Sequence, residues 1–329
     1  MTGRPSLLAG VLLVCAAPAL AQLERGAFAS CADIPGDAER LACYDKATAN
    51  QPAAPGDAPV LSPGRAPAES SLLGEAWALD PDSARIDLSL YQPNYLLPVR
   101  YSDRVNAAPF AGTASPGTSA QTIEDIEAKF QLSFKARVGS AFDRRLGIWI
   151  SYTQQSQWQV YNAEASRPFR ETNYSPEALV MLDPRTEIFG LRWRLAGVSF
   201  THQSNGRAEP LSRSWNRVIG QFGFERGAFA LIVRPWARIK EDPTKDDNPD
   251  ITTYLGHGDL TMLYKWHNHS LNLMLRGGKG AAQLSWTGPR WLGPLKGYVQ
   301  VFSGYGESLI DYNWRQTTVG VGVALNDLL

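Results

Sequence analysis

The chain has 329 residues, with 32 basic and 32 acidic side chains, so its formal net charge is zero and no whole-molecule field draws it to nucleic acid. Ten Trp and twelve Tyr are many for this length, and no apolar run after residue 21 approaches the ~20 residues that a membrane helix requires. Two broad classes fit an exported chain of this kind: a soluble β protein or a membrane β-barrel.

Export is read from the first residues, MTGRPSLLAGVLLVCAAPALAQ. Arg4 gives a short positive start, Leu7 to Ala17 an apolar run, and Ala19-Leu20-Ala21 a small-residue cleavage site, which predicts a signal peptide over residues 1–21. Bulky Val14 before Cys15 argues against a lipoprotein site. The following segment, residues 22–50, carries Cys31 and Cys43 and is placed in the periplasm. An oxidising compartment favours a disulfide between them over a metal site or a redox pair. One straight helix would hold the two cysteines apart, so Pro35-Gly36 has to turn the chain back. Closing so short a loop is worth roughly 3 kcal/mol in the chain-entropy picture. Residues 51–85 open with QPAAPGDAPVLSPGRAPAESS, which has no periodicity and reads as a linker.

Residues 86–329 read as strands. In KFQLSFKARV, Phe130, Leu132, Phe134, Ala136 and Val138 alternate with Lys129, Gln131, Ser133, Lys135 and Arg137, a period of two. Twelve such segments are expected: 88–101, 126–138, 146–158, 175–183, 190–204, 212–225, 228–240, 251–266, 270–277, 280–287, 295–304 and 315–325. Short links, such as those at 225–227 and 267–269, take turns with longer ones at 103–125, 159–174, 241–250 and 305–314. An even strand number with alternating loop lengths predicts an all-β, antiparallel transmembrane β-barrel of about twelve strands in a Gram-negative outer membrane, with a short N-terminal periplasmic extension. Trp149, Trp158, Trp193, Trp215, Trp236 and Trp266 are then partly interfacial anchors, some of them pointing inwards.

With the N-terminus periplasmic, the fifth strand runs outward and ends in SFTHQS. Val198, Phe200, His202 and Ser204 share one face of it, and the apolar partners make that the lipid face. In the sixth strand Asn216 falls in line with Val218, Phe222 and Phe224. Polar groups facing hydrocarbon cost several kcal/mol unless they bond one another. His202 as base, Ser204 as nucleophile and Asn216 as orienting residue make a hydrolytic triad. By spacing alone, an incidental His-x-Ser on a strand stays open as a reading. The chain has no G-x-S-x-G elbow, so a soluble esterase of that kind has no support.

The stretch HQSNGRAEPLSRSWNRV closely resembles the active-site segment of the outer-membrane phospholipase A family, as do YTQQSQWQVYNAEASRPFRETNYSPE, DDNPDIT and GYGESLIDYNWRQTTVGVGVALNDLL. The likeness runs in order through most of residues 88–329. It implies a calcium-dependent barrel that hydrolyses acyl esters of phospholipids and lysophospholipids as a homodimer, with its site near the outer leaflet. Residue by residue, it gives Ser204, His202 and Asn216 the triad roles and the Gly206 amide an oxyanion role. It also implies that the Arg207 carbonyl and Ser212 hold calcium from one subunit, with Ser166 reaching in from the other. Such ligands suit calcium, which takes oxygen donors including carbonyls and hydroxyls.

Gln154 follows Ile148, Ile150 and Tyr152 on the lipid face of the third strand, where an amide needs a partner. Two-fold symmetry offers a second Gln154 across a dimer interface, and that contact is favoured over the alternative that the side chain sits high enough to be wet. Asp242, Asp246, Asp247 and Asp250 lack the spacing of an EF-hand and read as a solvated surface loop. His267 and His269 read as turn residues. The rival from another class is a passive pore or structural barrel whose outward polar residues do nothing.

Overall fold

A computed structural model describes residue 31 and residues 34–49, 71–79, 87–111 and 122–327. The predicted signal peptide and most of the predicted linker lie outside the described residues. The chain divides into two units, residues 1–66 and 67–329. In the first, Pro35-Gly36 comes directly before helix α1 (Asp37–Ala49), and the Arg40 amide donates back to the Gly36 carbonyl at 2.8 Å. Cys31, on the far side of that turn, is disulfide-bonded to Cys43 on the helix, with their Cα atoms 5.6 Å apart.

The second unit is built on β1 (Asp87–Leu90), β2 (Tyr95–Ser102), β3 (Ile126–Ala141), β4 (Leu146–Trp158), β5 (Phe169–Leu182), β6 (Thr186–Ile188) and β7 (Leu191–Ser204). It continues with β8 (Ser214–Arg226), β9 (Phe229–Ile239), β10 (Gly258–Trp266), β11 (His269–Arg276), β12 (Ala281–Leu292), β13 (Leu295–Tyr305) and β14 (Arg315–Ala324). Neighbours pair antiparallel, and β3 bonds β2 on one side and β4 on the other, which closes the sheet on itself. β1 and β2 both pair with β3 and make one interrupted barrel strand, while the short β6 extends the partner of β7. Twelve barrel strands result among the described residues, as the alternation predicts.

Burial shows which way the wall faces. On β3, Leu132 is 52% exposed and Phe134 46%, while Lys129 and Arg137 are fully buried. Apolar outside and polar inside inverts a soluble protein and is the pattern of a membrane barrel. The same parity on β7 leaves Val198 48% exposed and Ser199 buried. We expect Val198→Arg to destabilise the lipid-inserted barrel by about 2–4 kcal/mol, read from denaturant unfolding in vesicles. An unchanged midpoint would place Val198 off the lipid face.

Inside, Arg100 and Arg170 both bond Glu127, Arg170 also bonds Asp311, and Lys129 bonds Glu307. These charges are buried but mutually paired, the condition under which buried ions are tolerated. Helix α2 (Leu72–Trp77) occupies the end of the lumen near the short turns. Ser71 caps it, the Leu73 amide donates to Glu225 at 2.9 Å, and Trp77 packs edge-on against Tyr91 and Trp149. Residues 71–79, read from sequence as linker, therefore belong with the barrel; Leu73 and Trp77 supply the apolar face that holds them.

Several strand boundaries also differ from the expected segments, most of all at two strand starts. β5 starts at Phe169 rather than 175, because Glu171 and Asn173 point into a polar lumen and hide the alternation. Residues 251–255 are a helix, α3 (Ile251–Leu255), not the start of a strand. Ile251 and Leu255 lie one helical turn apart and bury against Trp215, Trp236 and Leu309 in the outer mouth. Trp149, Trp215 and Trp236 point inwards, while Trp158, Trp193 and Trp266 are half-buried and stack on Phe169, Phe224 and Tyr264. His269 stacks between Trp266 and Trp286.

Candidate active site on the outer wall

β7 and β8 pair so that His202 lies directly opposite Asn216 and Ser204 opposite Ser214. His202 Nδ1 and Asn216 Oδ1 are 2.9 Å apart. Ser204 follows two residues on, at the end of β7 and on the same face. All three are half-buried, just beyond the exposed Phe200 and Val218 that mark the lipid face. No hydrogen bond joins Ser204 to His202 among the described residues; such contacts are often long in ligand-free enzymes.

The loop 205–213 is tied at its base. Asn205 exchanges backbone and side-chain bonds with Arg213, and its amide donates to the Leu211 carbonyl at 2.8 Å. Gly206 sits at φ +64°, and a Cβ there would come within 3.1 Å of the Tyr174 ring, so the position requires glycine. Arg207 turns its guanidinium onto the carbonyls of Phe169 and Arg170. Ser212 donates to Asp247, and the Ser214 amide donates to Asn248.

The acidic loop is thus only partly the solvated one expected. Asp242 is exposed, and the backbone amide and hydroxyl of Thr244 hold its carboxyl below the usual range. Asp246 pairs with Arg238, Asp247 accepts from Ser212, and Asp250 accepts from Tyr312. Sequence reading missed Asp247 and Asn248 as braces, and also Glu241, which accepts from Asn216 Nδ2 at 3.1 Å. Ser166 lies exposed at φ +62° in the loop before β5, and it takes no part in the described bonds of the 205–213 loop. Gln154 stands outward on β4 opposite Leu132 and Tyr174, with 3.3 Å contacts to Tyr152 and Ser156.

A closed barrel with apolar walls and a bonded His–Asn pair beside a serine defines a membrane β-barrel with hydrolase-type side chains on its lipid face. Residues 74–325 match the family model described as Phospholipase A1, and the chain belongs to that family. It is an ester hydrolase of the outer membrane. Phospholipase A1 of Escherichia coli K12 is 40% identical over 251 residues, covering 72% of this chain and 81% of that protein. A Neisseria meningitidis serogroup B protein named for phospholipase A1 is also 40% identical over 251 residues, but the chain spans only 65% of its length. The Salmonella typhi outer membrane phospholipase dimer with bound calcium superposes with a TM-score of 0.70 at 34% identity, covering 79% of this chain and 99% of that one. An Escherichia coli outer membrane phospholipase A, described as an active-site mutant with an asparagine changed to alanine, gives 0.69 at 34%, covering 79% and 100%.

Proposed function

We propose that this chain is a calcium-dependent hydrolase of phospholipid and lysophospholipid acyl esters, active as a homodimer, with Ser204, His202 and Asn216 as its triad. The observation that carries it is the 2.9 Å His202–Asn216 contact beside Ser204 on the lipid-facing wall. The asparagine altered in the Escherichia coli active-site mutant supports a catalytic asparagine in this family. A passive pore is disfavoured by a lumen crossed by paired charges and occupied by α2.

In this reading, His202 Nε2 takes the Ser204 proton as Oγ attacks the ester carbonyl. The carbonyl oxygen becomes an oxyanion facing the Gly206 amide, and Asn216 Oδ1 steadies the imidazolium. Collapse breaks the ester bond, and His202 gives its proton to the departing alkoxide. Water, deprotonated by the same imidazole, then releases the fatty acid and restores Ser204. Acyl chains lie along the exposed wall near Phe200 and Val218.

For calcium, the donors are of the right kind: the Arg207 carbonyl and the Ser212 hydroxyl, the latter already against the Asp247 carboxylate. Ser166 would come from a second copy, with Gln154 at the contact. Bound there, calcium would supply positive charge beside the oxyanion. The test is fatty-acid release from diacyl and monoacyl phospholipids by detergent-refolded protein, with calcium or with a chelator. Calcium-dependent release from both is expected; equal, negligible release in both conditions would overturn the reading.

A further inference from the structure

We propose that Glu241 is a positioning residue for the hydrolytic relay, acting through Asn216; this rests on the triad reading above. β9 ends at Ile239, which lies opposite Asn216 in the ladder and is exposed on the lipid face. Two residues on, the same parity brings Glu241 to Asn216, whose Nδ2 donates to Glu241 Oε1 at 3.1 Å. Glu241 is half-buried.

A carboxamide has two orientations that differ little in shape, and only one of them serves the reaction. With Oδ1 towards His202, Nδ1 carries the proton and Nε2 is free to accept from Ser204. With the amide turned over, its NH2 faces Nδ1, the imidazole proton moves to Nε2, and the base is blocked. An ionised carboxylate only accepts hydrogen bonds, so Glu241 favours the NH2 edge on its own side and the oxygen on the side of His202. Its charge also favours the imidazolium, one amide removed. A neutral asparagine can then do the orienting work that a buried carboxylate does elsewhere.

The experiment is kinetic, on refolded full-length protein with a phospholipid in mixed micelles. Glu241→Ala should lower kcat about tenfold with KM unchanged, and Glu241→Gln, which keeps an accepting carbonyl, should lie between. In an Asn216→Ala background Glu241→Ala should have no further effect. In an Asn216→Asp background it should be neutral or raise activity, because two carboxylates then repel. The same fractional loss in all three backgrounds would mean that Glu241 merely anchors its loop and would overturn the proposal. So would full activity of Glu241→Ala while Asn216→Ala is impaired, which leaves the triad standing. Full activity of Asn216→Ala would remove the triad reading and this inference together.

Discussion

Ser204→Ala is expected to lower ester hydrolysis at least about a thousandfold while the barrel refolds as before. The hydroxyl ends β7 on the lipid face and has no structural bond to lose among the described residues. On the proposed triad, its removal deletes the attacking atom and leaves the Gly206 amide and the loop in place. His202→Ala should cost as much, and the double variant no more, because nucleophile and base act as one unit. Asn216→Ala should be milder by roughly 10- to 100-fold, since it orients rather than reacts. Fatty-acid release under saturating calcium reads all four. Residual activity in Ser204→Ala near that of the parent would move the chemistry elsewhere on the molecule.

How much of this was legible depends on what the lumen and the bilayer each tolerate. β3 could be read directly, because Leu132 and Phe134 face lipid while Lys129 and Arg137 face inwards. The same rule placed His202, Ser204 and Asn216 on one wall, since parity in paired strands follows from a period of two. It failed at the start of β5, where Glu171 and Asn173 satisfy a polar interior and leave no apolar face to count. It failed again at α3, whose Ile251 and Leu255 bury in the mouth rather than against lipid.

Contacts between loops were the least legible. Ser212 and Asp247 are 35 positions apart and meet only because β8 and β9 bring their loops to the same rim. Glu241 could have been placed by extending the parity of Ile239, but only if the end of β9 were known. Trp149 and Trp193 show the limit of composition: one is buried in the lumen and the other is half-buried against Phe224.

Two variants that are each nearly inactive should together recover activity if calcium is held between subunits. Ser166→Ala keeps Ser204, Arg207 and Ser212 but cannot complete its partner's site; Ser204→Ala keeps Ser166 but has no nucleophile. In a mixed dimer one site regains every group, so an equal mixture should reach about a quarter of the parent's activity at limiting calcium: half the dimers are mixed, and half their sites are complete. Ser166→Ala alone should recover as calcium is raised, because it lacks one oxygen ligand and not the reacting atoms. A chelator should lower the parent and the mixture alike, by about a hundredfold or more, the scale of losing one source of oxyanion stabilisation. A mixture no more active than the average of its two components, under conditions where cross-linking shows dimers, would mean that each subunit's site is complete without the other.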